Sequence, residues 1–258
     1  MLKAVLSALT ALATLASAGE PTAPAGAPTF DAEEALARSF AAYAALASYA
    51  DSGTVEVQSS GFVDRYVFRT YFTRQPRNLF LSFRSVESVY DNGFKIKVDQ
   101  EAVLWMENGH LQTWESKTQA HETYPEDGGQ QVRALNNASY ATQGVSVLVP
   151  SLIYTKAGMA SVIQATEEAT SAGTESVGGR PCLKVTGIER WRYPSGQVTG
   201  VRPITLWIDA ETYLIRKIFE DTPKSMSRGA ISRRTITFQP HANPSLEATR
   251  FRHTVPES

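Results

Sequence analysis

Val63-Asp64-Arg65-Tyr66-Val67-Phe68-Arg69-Thr70-Tyr71-Phe72-Thr73-Arg74 is the stretch on which the fold turns. Tyr66, Phe68 and Phe72 recur at even spacing, and Arg65 and Arg69 fall between them. Successive side chains of an extended chain point to opposite faces, so the aromatics share one face and the arginines the other. That is a half-buried strand. Leu79, Leu81 and Phe83 repeat the alternation, and Arg74-Gln75-Pro76-Arg77 makes the turn between the two. Upstream, Val55 and Val57 begin another strand. Downstream, residues 94–98, 102–106 and 111–115 read as further short strands. Asn92-Gly93 and Asn108-Gly109 fall between them, and Asn-Gly is the strongest short hairpin signal.

A helix precedes the strands. Asp31 is a good N-cap, Glu34 stands at capping-box spacing, and Phe30 can staple against Ala35. Leu36, Phe40, Tyr43 and Ala47 form one apolar stripe, and Asp51-Ser52-Gly53 is expected to end the helix. The middle predicts a helix over 130–142, ending at Gly144. It also predicts a short helix with Pro150 at its first position, closed by Gly158. Strands resume at 165–172, 174–177 and 181–193, where Tyr193-Pro194-Ser195-Gly196 is a turn. A hairpin follows over 202–209 and 212–221, then a last strand at 233–239 and a terminal contact from Phe251. Strands and helices do not alternate. An antiparallel α+β fold is therefore expected rather than a parallel α/β sheet.

Met1-Leu2-Lys3 opens onto about a dozen apolar residues ending in Ala16-Ser17-Ala18. The run is shorter than the roughly 20 residues that span a bilayer, and it closes on the small-x-small pattern of a signal peptidase site. The expected organisation is a signal peptide over 1–18, a flexible Pro/Ala-rich leader over 19–29 and one domain over 30–258. No Cys stands at the cleavage point to take a lipid, so the mature chain is expected in the periplasm without an anchor. Removal of Lys3 leaves 24 basic against 26 acidic residues, a balance that argues against nucleic acid as a partner. The single Cys182 permits no internal disulfide, so the fold must stand on its core.

Gly173-Thr174-Glu175-Ser176-Val177-Gly178-Gly179-Arg180-Pro181-Cys182-Leu183-Lys184-Val185 resembles the LolA/LolB-like superfamily of periplasmic lipoprotein carriers, as do Leu206-Trp207-Ile208-Asp209 and Leu214-Ile215-Arg216-Lys217. Within it the likeness is to the predicted periplasmic branch of unknown function. It covers about residues 31 to 240. The resemblance implies an antiparallel half-closed β-barrel with helices covering its concave face. It also implies an apolar cavity between sheet and helices that takes up acyl chains.

No linear motif for catalysis or metal binding stands out. His110, His121, His241 and His253 keep no metal-ligand spacing, and no nucleophile elbow, P-loop or dinucleotide fingerprint is present. Asp91, Asp99 and Glu101 read as turn carboxylates, and Cys182 as a buried thiol. A non-catalytic protein without cofactor is the expectation, its ligand a lipid or an acylated protein. Candidate cavity residues are Phe40, Tyr43, Tyr66, Phe68, Phe72, Phe83, Trp105, Leu152 and Trp207. The alternative is an envelope sensor or protein-interaction module. For it, Arg65 and Arg69, in a cluster with Arg74, Arg77 and Arg84, would dock an acidic partner or anionic headgroups.

Overall fold

The computed structural model describes residues 30–107, 109–139, 141–153, 161–192, 198–221 and 233–256. The leader, Gly158 and the turn read at Tyr193-Pro194-Ser195-Gly196 lie outside the described residues. The first helix, α1, is Ala32–Ala45. Three long strands follow, β1 (Ser48–Ser59), β2 (Phe62–Thr73) and β3 (Asn78–Tyr90). Then come β4 (Lys95–Lys97), β5 (Glu101–Glu107), β6 (His110–Glu115) and β7 (Ala120–Tyr124). Three helices stand in the middle, α2 (Gly128–Asn137), α3 (Val145–Ile153) and α4 (Val162–Ala165). The second run of strands is β8 (Thr166–Val177), β9 (Arg180–Arg192), β10 (Val198–Asp209), β11 (Ile215–Asp221), β12 (Arg233–Phe238) and β13 (His241–Ala242), before a 3-10 turn at Ala248–Phe251 that buries Phe251.

The thirteen strands of the described residues form one antiparallel sheet in the order β7-β6-β5-β3-β2-β1-β12-β11-β10-β9-β8, with β13 beside β1 and β4 beside β3. The outer strands β7 and β8 do not pair, so the sheet is an open half-barrel of the α+β class. The two strand runs join where β1 meets β12, far apart in sequence. Inner-facing residues of both runs enter one core with α1, α3 and α4. Leu81, Phe83, Leu206, Ile208, Ile218 and Ile236 meet Leu36, Leu152 and Val162 there. The α3 segment is apolar nearly all round, as befits a helix buried on every side, and eight of its nine residues are buried.

Several boundaries differ from the sequence reading, each for a local reason. Asp51-Ser52-Gly53 does not end the helix but lies inside β1, and α1 stops at Ala45. Asp51 is kept in the strand because its carboxylate accepts the Gln239 amide N–H at 2.9 Å and the Tyr49 hydroxyl at 2.9 Å. Gly53 is there for space. Its β-strand neighbours are Phe68 and Phe238, and the Phe68 ring lies where a side chain would stand. A Cβ at this position would collide with that ring and with the Thr237 carbonyl oxygen. Gly53→Ala is therefore expected to destabilise the fold by about 1–3 kcal/mol, the usual cost of overpacking, read as a lowered urea midpoint at unchanged slope.

The helix expected over 130–142 starts earlier, at Gly128 under an Asp127 cap, and ends at Asn137. Pro150 stands inside α3, not at its first position, because Gly144 at φ +83° turns the chain six residues before it. Phe94 is exposed outside β4. The strands read at 165–172 and 174–177 are one strand, β8, interrupted by two bulges. The hairpin after β10 turns through residues 210–213, because the buried Asp209 carboxylate accepts the Glu211 and Thr212 amides at 3.0 Å each. Arg180 and Arg216 also donate to it, at 3.2 and 3.0 Å. Burial works to raise this carboxyl, but those four donors hold it well below the usual range.

Candidate functional site

Seven of the nine proposed cavity residues lie together on the inner face. Tyr43 of α1, Phe68 and Phe72 of β2, Phe83 of β3 and Leu152 of α3 belong to the main core, and Phe40 and Tyr66 pack against its edge. The Tyr43 hydroxyl accepts the Ile215 amide at 3.1 Å. Phe68 meets Phe238 edge-on at 5.7 Å. These contacts show a packed interior at the centre of the half-barrel, where Tyr43, Phe68, Phe72, Phe83 and Leu152 are each at most 2% exposed.

Trp105 and Trp207 are placed elsewhere, which corrects the sequence grouping. On β5, Leu104 and Met106 face the core, so Trp105 points out of the other side of the sheet. It is buried there with Val103 and Trp114 under the C-terminal segment, against His253 at 5.0 Å and stacked on His121 at 5.6 Å. On β10, Leu206 and Ile208 face the core, and Trp207 lies outside between the ammonium groups of Lys184 and Lys217, 5.2 and 4.3 Å from its ring. Period-two reading fixes which residues share a face within one strand, but it does not say which face of a neighbouring strand is inside. That depends on register.

Open space on the inner face lies off-centre, toward the β7 edge. One recess of about 190 Å³ is lined at its inner end by Tyr66, Phe83, Val98 and Ala102, and toward solvent by Asp64, Glu101, Glu115 and Lys117. A second, of about 180 Å³, lies under α2 against Leu104, Thr113 and Tyr124. The two share Ala102, Glu115 and Ala141 and so adjoin. Their roof includes residues 134–139 and 141–143, which present Ala134, Ala138 and Ala141 to the space. These alanines were not foreseen as site residues. Their spacing of four and three was visible, but only the position of α2 over β5 and β6 gives it meaning. Tyr66 links roof and floor: its ring stacks on Phe83 at 5.0 Å, and its hydroxyl accepts from the Gln143 amide at 3.3 Å.

The roof is lightly held. A ten-residue helix is too short to be stable alone. Among its residues with described side chains, α2 buries only Gln131, Ala134 and Leu135. It begins with Gly128-Gly129, and the chain beyond it turns at Gly144. Arg234 of β12 donates to the Gln143 carbonyl and occupies the space that a side chain at Gly144 would need.

The arginines are also sorted by the structure. Arg65 is neutralised, its Nε 2.9 Å from Glu56 and its Nη1 2.6 Å from Glu87. It is thus not the free docking charge the sequence suggested. Arg74 donates to the carbonyls of Leu46, Tyr43 and Ile153, which ties β2 to the helices. Arg77 pairs with Gln131. Cys182 is fully buried, and burial pushes its thiol up, which disfavours the nucleophilic thiolate. Among the described residues no group of three or more His, Cys, Asp or Glu could hold a metal ion.

No protein-family model matches the sequence, and no curated protein does. Solved structures similar to it include LprF from Mycobacterium bovis, at 18% identity over 90% of this chain and 99% of that one, with a TM-score of 0.48. Another is the Mycobacterium tuberculosis lipoprotein LppX, at 11% identity over 83% and 96%, TM-score 0.43. A LolA superfamily protein from Nitrosomonas europaea matches at 9% identity over 87% and 98%, TM-score 0.35. This last is of the superfamily that the hairpin motifs at Gly173–Val185 resemble.

Proposed function

We propose that this chain is an exported, non-catalytic binding protein that carries a lipid or an acylated protein between the inner face of its sheet and α2. The observation that carries the reading is the pair of adjoining recesses under Ala134, Ala138 and Ala141, with apolar inner ends and charged mouths. An amphiphile matches that polarity, its tail against Tyr66, Phe83 and Leu104 and its head beside Lys117. Each recess is smaller than the roughly 300 Å³ at which small-molecule sites usually begin. On this reading the two spaces merge on loading, as α2 swings outward about Gly144. Every CH₂ then buried stabilises the complex by about 0.8 kcal/mol. Part of that gain is lost in ordering the chain and in opening the roof.

The leader and the apolar N-terminal stretch fit a protein exported to the periplasm. No described helix is long and apolar enough to cross a membrane.

Native mass spectrometry of protein purified from its own envelope tests the reading, together with titration of a fluorescent fatty acid. Exchangeable lipid and micromolar uptake are expected. Ala141→Trp places an indole in the space both recesses share, and it is expected to weaken uptake at least tenfold while leaving the unfolding free energy within about 0.5 kcal/mol of the parent. A lipid-free mass with no fatty-acid uptake would sink the carrier reading.

A further inference from the structure

The outer face of the sheet carries a groove of about 430 Å³ across β12, β1, β2 and β3. Its walls include Arg69 and Arg84, and its floor is made of short hydroxyl side chains, Ser52, Thr54, Ser82 and Thr237. Of the five arginines clustered in β2, β3 and the turn between them, Arg65, Arg74 and Arg77 are paired as described above. Arg69 and Arg84 form no ion pair with any described carboxylate within 4.0 Å. Arg69 stands opposite Ser82, and Arg84 opposite Val67 on one side and Glu101 on the other, so the two arginines are diagonal neighbours on one face. Such neighbours lie about 7–8 Å apart at the backbone, within mutual reach of long side chains.

We infer that this groove is a binding site for a small organic anion, one phosphate or carboxylate carried on a hydroxylated body, which is the chemistry of a sugar phosphate or a sugar acid. Arg69 and Arg84 are neighbours of like charge with one carboxylate, Glu101, beside Arg84, so the pair keeps a net positive charge that an anion set between the two guanidinium groups would balance. The planar guanidinium fork offers paired N–H donors that match a carboxylate or a phosphate. The floor supplies the rest of the recognition. Thr54 and Thr237 share one hydrogen bond at 2.6 Å, which leaves further lone pairs on each for a ligand hydroxyl. Gln239 adds an amide at one end, and its carbonyl oxygen already accepts from Ser52 at 3.4 Å. The volume falls within the range of small-molecule sites.

A flat anionic membrane is a poorer occupant. Glu101 lines the groove, and Glu56 and Glu87 flank it around Arg65, so an extended negative surface would meet carboxylates on both sides. A single anion held between Arg69 and Arg84 meets only Glu101 of the three. The site is on the face opposite the recesses under α2 and does not depend on them.

Isothermal titration of the purified chain with glucose 6-phosphate, glucuronate, glucose, inorganic phosphate and phosphatidylglycerol vesicles tests the assignment. At least one of the two sugar anions is expected to bind at least tenfold more tightly than glucose and than inorganic phosphate. Arg69→Gln and Arg84→Gln are each expected to weaken it at least tenfold, and Arg65→Gln to change it less than twofold. Both substituted residues are exposed, and circular dichroism with a thermal melt confirms that the variants fold. Four results would overturn the assignment: no binding of either sugar anion at millimolar concentration, equal binding of glucose or of phosphate alone, uptake by vesicles only, or unchanged affinity in both arginine variants.

Discussion

Glu220→Gln is expected to destabilise the fold by about 3–5 kcal/mol, because it breaks a buried ion row at one partner. Glu220 of β11 is 2% exposed and lies between two arginines. Arg234 reaches it through Nε at 2.8 Å and Nη2 at 2.6 Å, and Arg202 through Nη1 at 2.8 Å. Arg202 also holds the buried Glu189 through Nε at 2.5 Å. Charges thus alternate across β9, β10, β11 and β12, and each is set against its opposite. Burial alone would raise the Glu220 carboxyl, but the two guanidinium charges outweigh it and hold the group below its usual value. Glutamine keeps the shape and removes the charge; Arg202 keeps Glu189, but the Arg234 guanidinium, 13% exposed, is left without its carboxylate. Urea unfolding of the variant measures the loss. A loss under about 1 kcal/mol would show that the row contributes no more than an exposed ion pair does.

The same substitution reaches the roof of the proposed lipid site. Arg234 uses its remaining Nη1 to hold the Gln143 carbonyl, next to the Gly144 joint. Loosening Arg234 therefore loosens the far end of α2. Amide exchange across 130–139 and 141–143 is expected to quicken in Glu220→Gln more than exchange in α1, which takes no part in the row's ion pairs. The linkage gives the buried charges a role that an apolar row would not fill. They stabilise the closed roof through one directional contact that can break without exposing the core.

The sequence makes the sheet legible and the site only partly so. Tyr66, Phe68 and Phe72 alternate against Arg65 and Arg69 because β2 has one wet face, and that pattern needs no tertiary knowledge. Strand β7 was missed because its residues 120–123 are all exposed and only Tyr124 is partly buried, so the alternation has no amplitude. Trp105 and Trp207 were grouped with the core on hydrophobicity alone. Each is indeed buried, but against the C-terminal segment or lysine side chains on the outer face. The distinction between Arg65 and Arg69 could not be read linearly, because Glu56 and Glu87, which neutralise Arg65, come from two different strands. The aromatic centre is packed, and open space on the inner face lies under α2 and the residues after it, where Ala134, Ala138 and Ala141 leave room.

Stability is expected to fall as pH rises from 4 to 8 on account of one residue, Asp51. Its side chain is 3% exposed in the core beneath α1, and burial raises its carboxyl from 3.8 to about 7. The Tyr49 hydroxyl and the Gln239 and Ser52 amides oppose the shift without cancelling it. Below pH 4 the group is protonated in both folded and unfolded chains and contributes no difference. Between about 4 and 7 the unfolded chain gives up the proton while the folded chain keeps it, so each pH unit costs the folded state about 1.4 kcal/mol. Above 7 the full cost is reached, about 4 kcal/mol. Glu220 has the opposite sign: its depressed carboxyl contributes stability above its ordinary value of 4.5, lost only as pH falls through its folded value. The two windows separate this pair, since between pH 5 and 8 Glu220 is ionised in the fold and, of the two, only Asp51 titrates; His253, its imidazole pushed down by burial, is common to parent and Asp51→Asn and drops out of the comparison. Asp51→Asn keeps an oxygen for the Gln239 amide and has no proton to lose. Its stability relative to the parent is therefore expected to improve by about 2–3 kcal/mol between pH 5 and pH 8, measured by urea unfolding at both values. A relative stability that does not change with pH would mean that Asp51 is ionised in the fold throughout, with its hydrogen-bond donors outweighing burial.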